Sequence, residues 1–219
     1  MKRLLFATLM ALALGGPARS ATGSDLLFAA GIFADLPDGQ VILYAHDRNG
    51  PQVADFKPLS AGKMTLVTVA AVGAARERGL TLTMEAAGKQ RQVVDFPVSG
   101  GNPVLMVFLE STVRSMAAIA GGSPFYIRNR IKDALRGGGA VQAGERDFGG
   151  QRIAVQEVTL RPFADDPNRA RMGEFADLTL RFVVSDAVPG HFIHLSAETP
   201  VPTTGYHEVI ALSPEEAAK

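Results

Sequence analysis

One stretch of this chain breaks the alternation of apolar and polar residues around it, and its limits are set by helix-boundary residues. Asn102-Pro103 opens it. An asparagine side chain can accept from the first free amide groups of a helix, and proline at the first helical position loses no hydrogen bond. No breaker follows from Val104 to Ala120, and Gly121-Gly122 then supplies a C-terminal cap. Ser123-Pro124 repeats the opening signal at once, and Gly137-Gly138-Gly139 stops a second helix near Arg136. The chain therefore carries an αα-hairpin, about 103–120 and 124–136, with a very short joint. Whatever else forms must accommodate that pair in mid-chain.

The flanking segments alternate with a period of two, the mark of half-buried strands. Before the hairpin, strands are expected over Leu26–Ala34, Gln40–Arg48, Leu80–Glu85 and Gln92–Val98, with Leu36-Pro37-Asp38-Gly39 and Gly88-Lys89 as turns. Phe56–Leu59 reads as a short extended piece. Lys63–Ala74 fits two readings. Its valines and threonines favour strand, whereas its alanines and the ending Arg76-Glu77-Arg78-Gly79 suit a helix; strand is adopted. After the hairpin, strands are expected over Val141–Asp147, Arg152–Pro162, Phe175–Ser185, His191–Ala197 and Tyr206–Leu212. Phe148-Gly149-Gly150 and Val188-Pro189-Gly190 are the turns, and Asp165–Arg171 is a charged loop. The expectation is an α+β fold, mainly antiparallel β: a curved sheet or half-barrel of about nine strands with the helix pair on one face or in its concavity.

Lys2 and Arg3, the apolar run Leu4–Leu14 and the small residues around Ala18-Arg19-Ser20 have the pattern of a secretory signal peptide. A cut after Ser20 is expected, and one after Ala18 is the alternative. That gives residues 1–20 as signal and 21–219 as a single domain with a polar tail from Ser213. The apolar run is too short to span a bilayer, which needs about twenty residues. Val104–Leu109, the longest later run weighed, ends at Glu110, so no membrane span is expected in the mature chain. There is no cysteine, hence no disulfide, thiol chemistry or lipid-bearing cysteine; a domain of this size can be stable outside the cytoplasm without disulfides. A periplasmic or secreted protein is expected. Loss of Lys2, Arg3 and Arg19 would leave the chain mildly acidic, which disfavours nucleic acid as a partner.

This order of elements, Leu26 to Leu212, resembles exported bacterial half-barrel proteins: the periplasmic lipoprotein-carrier type and related families of unknown function. The strand running from Thr179 into the Pro189-Gly190 turn is similar to theirs. The resemblance implies a hydrophobic groove between sheet and helices, and it transfers no functional residue.

The residues that could carry chemistry form no recognisable constellation. His191 and His194 would point to opposite faces of a strand. His46-Asp47 and His207-Glu208 are chain neighbours whose side chains diverge. A histidine metal site is therefore not expected, and all four histidines read as solvent-facing strand residues near turns. Ser123 sits in a capping sequence and Ser99 in a loop leading into a capped helix, neither in a nucleophile elbow. Arg128, Arg130, Lys132 and Arg136 make the second helix basic, which suits anionic lipid headgroups but suits a solvated face better. No cofactor or enzyme activity is expected. The candidates for lining an apolar ligand site are Met106, Phe108 and Met116, weighed against plain core packing. The leading expectation is a carrier of a lipid or acyl chain; the alternatives are an envelope interaction module and an unrecognised hydrolase.

Overall fold

The computed structural model describes residues 21–72, 77–201 and 205–214. Residues 1–20, expected to be a signal peptide, residues 73–76 and 202–204, and the tail 215–219 lie outside the described residues. The chain forms α1 (Gly23–Leu27), β1 (Val41–Asn49), β2 (Leu59–Val72), β3 (Glu77–Ala86), β4 (Lys89–Pro97), α2 (Pro103–Ala120) and α3 (Pro124–Arg136). After these come β5 (Ala140–Phe148), β6 (Gln151–Leu160), β7 (Thr179–Val184), β8 (Phe192–Glu198) and β9 (His207–Leu212). The nine strands make one antiparallel sheet in the order β4-β3-β2-β1-β9-β8-β7-β6-β5. The architecture is the expected one: an α+β fold built on a curved antiparallel sheet that does not close into a barrel.

The topology explains why the helices lie where they do. Strands β4 and β5 are the two outer edges of the sheet, and the chain travels from one to the other through α2 and α3 alone. A flat nine-strand sheet would be about 38 Å across. The connection can only cover one face, and the sheet curves around it. Ile42 and Tyr44 of β1, Met64 and Leu66 of β2, Leu80 and Leu82 of β3, and Ile210 and Leu212 of β9 alternate into that face. Strands β7 and β8 are buried on both faces. At the other extreme, every residue of β5 but Phe148 is exposed. Glu145, Arg146 and Asp147 place charges on this free edge, which discourages pairing with another chain.

The helix pair begins and ends where its boundary residues predict. Asn102 Oδ1 accepts from the Val104 amide at 2.9 Å, while its Nδ2 donates to the Gly190 carbonyl at 2.7 Å. One side chain thus caps α2 and clamps the loop before β8. Gly121 and Gly122 both take positive φ, +76° and +89°. We expect Gly122→Leu to lower stability by about 1–2 kcal/mol through backbone strain alone, since the space beside Gly122 is open. Unchanged thermal unfolding would refute that account of the turn.

Three local expectations need correction. Leu26–Ala34 is not a strand. Thr22 and Asp25 form a reciprocal capping box that starts α1, turns follow, and Leu27 and Phe33 are buried. Phe175–Leu178 is not part of β7, because Gly173–Asp177 coils into a 3-10 turn and the strand starts at Thr179. His191 precedes β8 with φ +70°. The ambiguous segment Lys63–Ala74 is strand as far as it is described, and β2 starts already at Leu59 and runs through Ala61-Gly62. A Cβ on Gly62 would meet the His46 carbonyl at 2.7 Å, so close strand approach accounts for this glycine. Among the described residues, α2 is long and apolar enough to cross a membrane by length and composition alone, and half of it is buried within this fold.

Candidate functional site

The interior between helices and sheet is packed with side chains. Phe108 is fully buried and meets Phe182 edge-on, ring centroids 5.7 Å apart. Met116 is 2% exposed and borders a cleft of about 360 Å³ with Tyr126, Ile127 and Met172. Met106, two residues from Phe108, emerges on the opposite side of α2 and is 59% exposed. The three candidate ligand-lining residues therefore do not share one chamber. The structure places one in the core, one at the α2–α3 joint and one on the outer helix face.

On that outer face Met106 is flanked by two clefts. One, about 270 Å³, lies between α2 and α3, lined by Phe28, Leu109, Val113, Ile131 and Leu135. The other, about 210 Å³, lies toward β4, lined by Leu27, Phe96, Pro97 and Leu105. Met106 and Phe28 belong to both, so the clefts form one furrow along α2. Phe28 is 48% exposed. Met106 and Phe28 thus present apolar surface to water along this furrow. Glu110, Arg128 and Lys132 rim the furrow. Arg128 is held by Glu110 at 2.9 Å, whereas Lys132 has no carboxylate within 4 Å among the described residues.

The basic face of α3 is largely neutralised from within. Besides Arg128, Arg136 pairs with Asp133 at 2.9 Å, and Arg130 reaches Asp166 at 2.7 Å. Asp166, read from sequence as part of a charged turn, is buried. Burial alone would raise its carboxyl pKa, but the Asn168 amide, the Tyr126 hydroxyl and Arg130 outweigh it and hold the group below the usual aspartate range. A depressed carboxyl stabilises the fold above its unfolded pKa, and that contribution is lost as pH falls through the folded value. We therefore expect Asp166→Asn to destabilise at pH 7, with the gap to wild type shrinking below about pH 4. Parallel urea titrations at the two pH values would expose a constant gap, which would contradict this assignment.

Beneath α2 lies a polar cluster that sequence reasoning missed. Glu208 is fully buried, and His46 is 2% exposed. His46 Nε2 lies 2.7 Å from Glu208 Oε1, and Ser111 Oγ of α2 donates to the same oxygen at 2.6 Å. The Tyr206 hydroxyl donates to Oε2. Arg48 Nη1 donates to Ser111 Oγ at 2.6 Å and stacks over Phe56. Burial first, then the Glu208 charge, raise the Tyr206 hydroxyl pKa well above normal, so it stays a donor. The geometry follows from register: β1 pairs with β9, setting Arg48 opposite Glu208 and His46 opposite Ile210, two residues along the same face. Serine here bonds to the carboxylate and not to the imidazole, so the cluster is no catalytic relay. It ties β1, β9 and α2 together.

The expectation of four solvent-facing histidines thus fails for His46 and His191, which are buried, while His207 is exposed. His194 is half-buried, and burial, followed by the charges of Arg146 and His207, holds its imidazole pKa below the usual value. Among the described residues no group of three or more histidine, aspartate or glutamate side chains converges to hold a metal ion. Compared with known proteins, the chain matches no family model and no curated protein.

Proposed function

We propose that this is an exported, non-catalytic binding protein of the half-barrel kind, and that its ligand is an anionic amphiphile such as a fatty acyl chain, held in the furrow along α2. Export rests on the charged and apolar start of the chain. The observation that carries the ligand reading is the pair of apolar clefts joined through half-exposed Met106 and Phe28. Lys132, without a carboxylate partner, stands at the mouth of the furrow to meet an anionic head. The interior between sheet and helices is filled by core side chains, so the reading takes the outer furrow and not that interior as the groove.

A second reading has its own support. The same apolar furrow suits a module that docks another envelope protein. Native mass spectrometry of protein purified from the envelope fraction, with a lipid extract of the same sample, separates the two. A defined lipid adduct supports the carrier. A clean mass, with no uptake of added oleate, refutes it and leaves the docking module.

A further inference from the structure

The outer face of the helix pair carries more than the furrow. Met106, Glu110 and Arg114 follow one another at four-residue steps along α2. Phe125, Arg128 and Lys132 do so at steps of three and four along α3, so each trio lies on one side of its helix. The Arg128–Glu110 ion pair sets the two stripes side by side. Phe125, Met106 and Phe28 are the three most exposed large apolar side chains among the described residues. Two of them belong to these stripes, and Phe28 borders Met106. Phe125, 75% exposed, is covered only in part by the Arg128 guanidinium, which lies 5.6 Å from its ring centroid.

Between the apolar ends the charge is positive. One carboxylate, Glu110, serves both Arg114 and Arg128 at 2.9 Å, and Lys132 has none among the described residues. Three cations on these stripes therefore share one anion. The remainder of α3 is balanced, because Arg130 meets Asp166 and Arg136 meets Asp133. The surplus sits in a chain whose expected exported form is acidic, so it is local to this face. A protein–protein interface has an apolar centre and a polar rim. Here the layout is inverted, with apolar side chains at both ends and cations between them. That arrangement suits a lipid headgroup layer, which admits large apolar side chains while lysine and arginine meet its phosphates.

We propose that this face docks on the surface of an anionic phospholipid bilayer. Phe125 at one end and Met106 with Phe28 at the other are the insertion points, and Arg114, Arg128 and Lys132 lie against the phosphates. The docking does not rest on the acyl-chain reading of the furrow.

Co-sedimentation of the exported protein, without the apolar run Leu4–Leu14, with lipid vesicles tests this. Vesicles of equal parts phosphatidylcholine and phosphatidylglycerol should bind about tenfold or more tightly than phosphatidylcholine alone, as expected of two net charges at an anionic surface. Salt of about 1 M, where the screening length is about 3 Å, should remove the difference. Arg114→Gln should weaken binding to the mixed vesicles about fivefold, with Glu110 still held by Arg128. Arg152→Gln is the matched control. Arg152 lies on β6, is 72% exposed against 74% for Arg114, and is likewise paired with a glutamate; its loss should change nothing. Phe125→Ala should weaken binding about fivefold, the share of one aromatic side chain leaving water. The chain has no tryptophan, so Phe125→Trp installs a single reporter whose emission should move to shorter wavelength on mixed vesicles. All of these side chains are exposed, and the fold should tolerate each change. Equal binding to both kinds of vesicle, no binding to either, or no spectral shift in the Phe125→Trp protein would overturn the proposal. So would a loss in Arg152→Gln as large as that in Arg114→Gln.

Discussion

Glu208→Ala will destabilise the protein by about 3–5 kcal/mol, the cost of removing one member of a buried hydrogen-bonded cluster and leaving its polar partners buried without it. The carboxylate carries His46, Ser111 and Tyr206 on its two oxygens. Arg48 is tethered to it through Ser111, and the Arg48 Nε is already buried without a partner among the described residues. Removal would leave a buried imidazole, a buried phenol and a half-buried guanidinium facing each other across a hole. In a domain of this length each kcal/mol is worth roughly 2–4 °C in Tm, so the melting curve should move visibly. Urea unfolding is the sharper measurement: the midpoint should fall with little change in slope. The exposed neighbour makes a control, and His207→Ala should stay within about 0.5 kcal/mol of wild type. A Glu208→Ala protein as stable as wild type would mean that the cluster does not hold β1, β9 and α2 together.

If the furrow along α2 holds the anionic amphiphile proposed for it, Met106→Asp will weaken oleate binding while leaving the fold intact. The side chain is 59% exposed, so an aspartate there meets water and not core, and stability should change by no more than about 0.5 kcal/mol. The same carboxylate sits where the two apolar clefts join and repels an anionic head, so oleate affinity should fall at least tenfold. Phe108→Ala is the converse experiment. It should cost about 3–5 kcal/mol as a large-to-small change in a packed core, with oleate affinity unchanged at temperatures where the variant is folded. If Phe108→Ala weakened binding and Met106→Asp did not, the ligand would enter between helix and sheet after all.

That contrast also shows how much of the site was legible. Val104–Leu109 is apolar on every side, so the sequence named Met106 and Phe108 together and could not tell which faced inward. Successive helical residues are about 100° apart, which sends the two in nearly opposite directions. The limits of α2 and α3 were legible because each depends on residues within one turn: Asn102, Pro103, Gly121, Gly122 and Pro124. Most strands were legible through their alternation. Helix α1 was not, because five residues are too few to display a period, and only Thr22 and Asp25 announce it. The polar cluster was invisible for a different reason. His46 and Glu208 are 162 positions apart, and nothing local to either reveals that β1 lies beside β9. His191 was misassigned to a strand because its unusual backbone is imposed by Asn102 and Ser185, neither of them its neighbour.

The pairing of β1 with β9 places the two ends of the folded domain in the centre of the sheet. Strands β1–β4 and β5–β9 are each meanders of local contacts, quick to form once their turns are made. The seam between them joins Val41–Asn49 to His207–Leu212 and waits for almost the entire chain. Synthesis delivers the amino end first, so the first meander must persist with Tyr44, Met64, Leu66 and Leu82 uncovered until α2 and the last strand arrive. A nascent chain of this design exposes its stickiest surface for most of its assembly. An unsealed first half is the species that a holding chaperone would meet.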